Sequence, residues 1–258
     1  MSDFRGRFLW YEYMASDVER AKSFYTAVTG WGIQQWKTPE QTYDMWAVGA
    51  RSIGGVMRIR PNAGTPHWMS YIGTPDVDQT TARARSLGAT VCLEPTEIPA
   101  VGKFSIIADP QGATFAAFTP YPLPTPPPPS PPAPEVGDFT WHELATTDVA
   151  GALAFYRELF GWSAGDAMDM GPAGVYQLFG LGETRLGGIY VKPKEMTAPP
   201  QWLYYIRVAS IETGIARVRE HGGQVLIGPH DVPGGDRIAM CLDPAGAPFA
   251  LVWVKALS

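Results

Sequence analysis

The sequence predicts an α+β protein of two tandem domains, each laid out as a strand, a helix and further strands, twice over. Three observations predict it: the chain is duplicated, its helices carry recognisable caps, and a proline run parts the copies. The duplication is the strongest. Trp10-x-Glu12, Asp17-Val18, Ala21, Phe24-Tyr25 and Gly30-Trp31 return as Trp141-x-Glu143, Asp148-Val149, Ala152, Phe155-Tyr156 and Gly161-Trp162, all 131 residues later. Gly54-Gly55 returns as Gly187-Gly188, and Pro66-x-Trp68-x-x-Tyr71 as Pro200-x-Trp202-x-x-Tyr205. Asp109-Pro110-x-Gly112-Ala113 returns as Asp243-Pro244-x-Gly246-Ala247, by which point the offset has grown to 134. A few loop insertions explain that drift.

Within each half the scheme repeats more weakly. Asp17 opens an amphipathic run (Val18, Ala21, Phe24, Val28) that Gly30 stops, and Asp76 opens another (Ala84, Leu87) that Gly88 stops. An Asp cap, apolar residues at helical spacing and a terminal glycine together mark a helix. The second half places its helices near 149–160 and 211–221. Alternating runs at Phe8–Met14 and His67–Ile72 precede the first-half helices as strands, and short strands punctuated by Gly and Pro follow. Residues 120–134, PYPLPTPPPPSPPAP, exclude helix and sheet interior and read as an extended spacer. The domains are therefore drawn at 1–120 (modules about 8–60 and 66–120) and 139–258 (modules about 139–192 and 200–254), with a linker at 121–138.

Composition narrows the function classes. Apolar residues make up 45% and charged ones 17% of 258 residues, which excludes general disorder and provides an ample core. A net charge of −5 without a Lys/Arg run argues against nucleic-acid or anionic-membrane partners. No segment has the length of a membrane span or a signal peptide, and Cys92 and Cys241 alone cannot build a disulfide framework. The expectation is a cytoplasmic protein. Nine Trp, 11 Tyr and 11 Phe suggest that some rings line more than a core.

The order of these motifs resembles the vicinal oxygen chelate superfamily, which includes glyoxalase I, bleomycin-resistance proteins and extradiol dioxygenases. The resemblance covers essentially both halves and implies four βαβββ modules whose curved mixed sheets surround cavities. It also implies where a divalent metal is held in catalytic members. The first-strand ligand lies seven residues before the Asp of the helix start, at Trp10, Trp141 and Met69, with Leu203 as the repeat partner of Met69. The last-strand ligand lies seven residues after the Asp of Asp-Pro-x-Gly, at Ala116 and Ala250. None of these side chains binds a hard cation. The expectation is no metal and no cofactor. Nor do the histidines offer a substitute: His142 is one residue off the ligand parity, His67 lies outside the count, His221 falls in a helix's last turn and His230 in a loop.

Strand alternation lists what faces inward instead. Trp10, Glu12 and Met14 share a face, as do Trp141, Glu143 and Ala145; Met69 and Tyr71 face in, as do Leu203, Tyr205 and Arg207. This is an apolar, aromatic bowl with few polar groups, the usual makeup of a small-molecule site. Glu12 and Glu143 are the catalytic candidates, since a carboxylate among rings should hold its proton more tightly and suit a general base. The alternative is that a Tyr, an Arg or backbone amides fix each Glu structurally. Arg207, whose first-half partner is Gly73, would neutralise Glu143 if it faces in, leaving Glu12 the more reactive. Phe24, Tyr25, Trp31, Phe155, Tyr156 and Trp162 read as helix-on-sheet core, and the Gly-Gly pairs as turn or bulge glycines.

Three functions follow from this reading. The first is a metal-independent binder of a small aromatic or carbonyl compound. The second is a lyase or isomerase using Glu12 or Glu143 as base, with Tyr71 or Tyr205 as donor. The third is an assembly module whose aromatics serve a homodimer.

Overall fold

The computed structural model of the chain describes residues 4–38, 42–60, 64–122 and 133–255. The proline-rich run expected as a spacer falls mostly outside these residues. The element order is strand, helix and three strands, four times. The first module is β1 (Phe8–Ala15), α1 (Val18–Thr29), β2 (Gly32–Lys37), β3 (Thr42–Val48) and β4 (Arg51–Arg58). The second is β5 (His67–Gly73), α2 (Val77–Ser86), β6 (Thr90–Ile98), β7 (Gly102–Ala108) and β8 (Thr114–Pro120). The third is β9 (Phe139–Thr146), α3 (Val149–Phe160), β10 (Ser163–Asp169), β11 (Val175–Leu181) and β12 (Thr184–Val191), with one 3-10 turn at Gly171–Ala173. The fourth is β13 (Gln201–Arg207), α4 (Ile211–Glu220), β14 (Gln224–Asp231), β15 (Arg237–Leu242) and β16 (Pro248–Trp253). Among the described residues no helix is long and apolar enough to cross a membrane.

The caps form as the sequence predicts. Asp17, Asp76, Asp148 and Ser210 accept from the backbone amides of Arg20, Gln79, Gly151 and Thr213, closing the first turn of each helix. Gly30 and Gly161 end α1 and α3 with φ of 80° and 76°, a left-handed conformation that glycine adopts without strain. α2 ends at Ser86 with Leu87 as its C-cap and is stopped, as expected, by Gly88, left-handed at φ 91°, while His221 is the C-cap of α4 rather than part of its last turn.

The strands make two eight-stranded mixed sheets, ordered β2-β3-β4-β1-β5-β8-β7-β6 and β10-β11-β12-β9-β13-β16-β15-β14. Each follows one half of the chain. The first and last strands of a module pair in parallel, with Glu12 opposite Gly55 and Glu143 opposite Gly188, and the remaining pairs within a module are antiparallel. The compact units are drawn differently, because each takes one module from each half. One comprises Trp10–Trp68, Ala133–Trp141 and Leu203 onward; the other comprises the segment up to Leu9, the second module from Met69, and His142–Trp202.

A buried aspartate ties the halves together inside each unit. In the first, Asp243 Oδ1 accepts from the amides of Ala245 and Ala247, which shapes the Asp-Pro-x-Gly loop. Its Oδ2 accepts from the hydroxyls of Tyr13 and Tyr25, and Tyr25 in turn accepts the Trp68 indole N–H at 2.8 Å. In the other unit Asp109 divides its oxygens likewise, between the amides of Gln111 and Ala113 and the hydroxyl of Tyr156, which accepts from Trp202. The difference is Leu144, buried where Tyr13 stands in the first half. Burial lifts the Asp109 carboxyl above its ordinary range against these hydrogen bonds. Charged acceptors bond more strongly than neutral ones, and removing one strands several buried donors at once. Asp243→Ala is therefore expected to cost about 3–5 kcal/mol, and Asp109→Ala, which releases one tyrosine rather than two, less than that; urea unfolding midpoints decide it.

Candidate functional site

The middle of β1 holds the first candidate. Glu12 is 3% exposed and sits opposite Gly55 of β4. Tyr43 of β3 reaches over β4 and donates its hydroxyl to Glu12 Oε2 at 2.6 Å. The Trp10 indole N–H donates to the same Tyr43 oxygen at 3.0 Å. Glycine permits that reach, since a Cβ on Gly55 would lie 1.8 Å from the Tyr43 hydroxyl. The Gly-Gly pair is thus not a turn. It lies inside β4, beside a register shift between Trp46 and Ala47, and clears a path for a ring.

Glu12 Oε1 is left buried with no hydrogen-bond partner among the described residues. Burial raises the Glu12 carboxyl from 4.5 to about 8, opposed by the Tyr43 hydrogen bond and by the nearby Trp10 N–H dipole. At neutral pH the proton therefore stays mostly on.

The equivalent place in β9 is arranged alike. Glu143, 8% exposed, lies opposite Gly188, and Tyr176 of β11 donates to its Oε1 at 2.7 Å. A Cβ on Gly188 would lie 2.1 Å from the Tyr176 ring. Tyr190 stacks on Tyr176, and burial together with the Glu143 charge holds the Tyr190 phenol well above its ordinary range. Arg207, expected to neutralise Glu143, instead donates to the carbonyl of Pro134. Of the partners expected to fix Glu143 structurally, a Tyr, an Arg or backbone amides, a tyrosine hydroxyl is bonded to it, from Tyr176, a residue the sequence did not single out.

The other expected lining residues lie in and around buried clusters. Leu203, Tyr205, Ala250 and Val252 form a buried cluster against which Trp141, Ile238 and Met240 pack. Met69 and Tyr71 are buried, and Tyr71 meets Phe104 and Phe118 edge to face or tilted. Trp10 and Met14 are half-buried. The described crevices lie elsewhere, one along Tyr13, Arg20, Pro66 and Pro244 and a broader groove along Arg5, Thr74, Arg83 and Glu158; neither is lined by a candidate glutamate. Tyr25 and Tyr156 are buried core as expected, with the aspartate bond as an added role.

Comparison with known proteins places this geometry. The model of the Glyoxalase/Bleomycin resistance protein/Dioxygenase superfamily matches residues 7–117 and again 138–251. The chain belongs to that superfamily. Among superfamily relatives it is 28% identical to CFP32 of Mycobacterium tuberculosis, a proposed glyoxylase, over 94% of this chain and 93% of that one. It is also 28% identical to the anthracycline biosynthesis protein DnrV of Streptomyces peucetius, over 95% and 92%. The 2,3-dioxygenase LapB from Pseudomonas sp. KL28 shares the fold at a TM-score of 0.67 and 14% identity, covering 98% of this chain and 94% of that one. The Mn(II)-bound glyoxalase of Novosphingobium aromaticivorans does so at 0.64 and 14%, covering 97% and 82%.

That last neighbour holds a divalent metal, and the superfamily implies one here. The donor set does not fit it. Trp10, Trp141, Met69, Leu203, Ala116 and Ala250 occupy the positions that the motif spacing assigns to ligands, and among the described residues no three His, Cys, Asp or Glu side chains converge as a cation needs. His142 is no substitute, for it stacks on Phe8, bonds the Leu186 carbonyl through Nδ1, and is lowered by burial to about 4.

The Glu12 proton makes stability depend on pH. Between 4.5 and about 8 the folded state keeps a proton that the unfolded chain releases, so stability falls as pH rises across that window. Glu12→Gln is expected to remove this fall, matching the parent near pH 4 and exceeding it at pH 9 by on the order of a few kcal/mol in urea melts. Gly55→Ala should displace Tyr43, cost about 1–3 kcal/mol, and move the pH window upward, because the Tyr43 bond is what holds the Glu12 value down.

Proposed function

We propose that the chain binds a small aromatic or carbonyl compound without a metal, and that the working site is the Glu12 face of β1. One observation carries this reading: Glu12 Oε1 is buried with no partner, whereas buried polar atoms in folded proteins are nearly always bonded. An atom in that state calls for a partner, and a ligand offering one would complete the structure. The half-buried indole of Trp10 and the thioether of Met14 on the same strand supply an apolar wall, the usual company of a few placed polar groups. The Glu143 face carries its tyrosine bond and a second stacked ring, which supports a structural role there. The relative named for anthracycline biosynthesis supports a small-molecule ligand.

A second reading, a lyase or isomerase acting next to a carbonyl, draws on one further observation. A carboxyl at about 8 exchanges protons readily near neutral pH, which proton transfer requires.

Titration with aromatic ketones and quinones, followed by tryptophan fluorescence, tests the binding reading. Quenching should saturate, survive dialysis against a chelator, weaken at least tenfold in Glu12→Ala, and persist in Glu143→Ala. Chelator sensitivity, or a larger loss from Glu143→Ala, overturns it. Solvent deuterium entering the bound carbonyl compound next to its C=O, at a rate lost in Glu12→Gln, is the outcome expected of the enzyme.

A further inference from the structure

Glu12 has one oxygen bonded and one bare, and that asymmetry fixes what it offers a ligand. We propose that Glu12 acts as a neutral carboxylic acid that donates an O–H hydrogen bond from Oε1 to the carbonyl oxygen of an uncharged aromatic ketone or quinone, with Tyr43 as the positioning residue. This rests on the binding reading above and names the ligand class for the same face.

The argument is geometric first. Tyr43 donates to Oε2, and the Tyr43 oxygen itself accepts from the Trp10 indole, so the chain Trp10–Tyr43–Glu12 has a single direction. Nothing in that chain reverses to offer Oε1 a donor. An ionised Oε1, buried and bare, would keep the full cost of its lost hydration. A proton on Oε1 removes the charge and leaves a donor, and what a donor lacks is an acceptor. A ketone or quinone oxygen is such an acceptor and carries the apolar body that Trp10 and Met14 suit. A carboxylate ligand would bring charge into the same buried place, against the same hydration cost.

The neighbours agree. From β3 the titratable side chain facing Glu12 is Tyr43, already its donor. From β4 the opposing residue is Gly55. On the strand beyond β1 in the sheet order, β5 carries Tyr71 in its middle and His67 at its start as titratable side chains. Asp44, next to Tyr43 on β3, is paired to Lys22. The raised value of Glu12, about 8, fits an acid that is neutral under ordinary conditions. Glu143 shows the contrast, since neither of its oxygens is among the bare buried atoms.

Acetophenone and benzoate, alike in ring and differing in charge, are the probes. Their dissociation constants are measured by fluorescence for the parent, Glu12→Gln, Glu12→Ala and Tyr43→Phe between pH 5 and pH 10. Acetophenone affinity should be level at low pH and fall by about tenfold per unit once Glu12 ionises above about 8. Glu12→Gln, whose amide still donates, should bind acetophenone within a fewfold of the parent and show no pH dependence. Glu12→Ala should lose at least tenfold at every pH below that step. Tyr43→Phe should move the pH step upward, which a merely structural role of Tyr43 would not do. Benzoate should bind more weakly than acetophenone throughout. Independent of any ligand, the infrared C=O stretch of a protonated carboxylic acid should be present at neutral pH and absent from Glu12→Gln.

Affinity rising through the step, benzoate preferred over acetophenone, or an infrared spectrum without that band overturns the proposal while leaving the binding reading intact. Absence of saturable binding by any aromatic carbonyl probe with the infrared band present overturns the binding reading, and the ligand class with it.

Discussion

A carboxylate shared between a loop and a tyrosine from the other half of the chain is the constraint on which this structure depends. Asp243 and Asp109 each turn one oxygen to the backbone of their own Asp-Pro-x-Gly loop and the other to a buried tyrosine hydroxyl. Neither bond can be kept without the other being placed, because the loop orients the carboxylate and the tyrosine relieves its burial. The aromatic mass packs around that point: in one unit Tyr25 meets Trp31, Trp46, Trp68 and Phe249, and in the other Tyr156 meets Phe115, Phe160, Trp162 and Trp202. Rings of this size bury a large apolar surface, and the aspartate hydrogen bonds join the two halves at their centre.

The sheet face away from the helices is the permissive one. There a glycine on the last strand of the module, set across from a glutamate on its first, lets a tyrosine bridge three strands. The device is duplicated, and the copies have parted in several respects. In the first, one carboxyl oxygen is bare and the first strand carries methionine; in the second, an added tyrosine on β12 stacks over the bridge.

Much of this was legible in the sequence. Asp and Gly at fixed distances bracket α1 and α3 because caps are local, and alternation set the parity that puts Glu12 and Trp10 on one face. The pairing of halves was not legible. Both halves carry the aspartate, the tyrosine and the tryptophan, and a repeat shows that the parts exist without showing whose aspartate meets whose tyrosine. Tyr43 and Tyr176 were missed for a related reason. Each sits in a strand otherwise unlike its counterpart, TYDMWAV against VYQLFGL, so a lone shared tyrosine carried little weight. The Gly-Gly pairs, expected as turn or bulge glycines, do lie beside a register shift in each half, but the signal they carry is the space they vacate for a ring. Arg207 misled because parity fixes a face but not a direction along it. At the end of β13, the backbone of Asp138 and the carbonyl of Pro134 lie nearer at hand for it.

The aspartate bonds bear on how such a chain came to exist. A half standing alone would own a Tyr in its first module and an Asp in its second, and would satisfy neither by itself. Two identical copies would satisfy both, each lending its tyrosine to the other, in the manner of a two-fold symmetric pair. The tandem chain therefore reads as a dimer sewn into one polypeptide, and the loss of Tyr13's counterpart to Leu144 records that, once joined, its two equivalent seams were free to age separately.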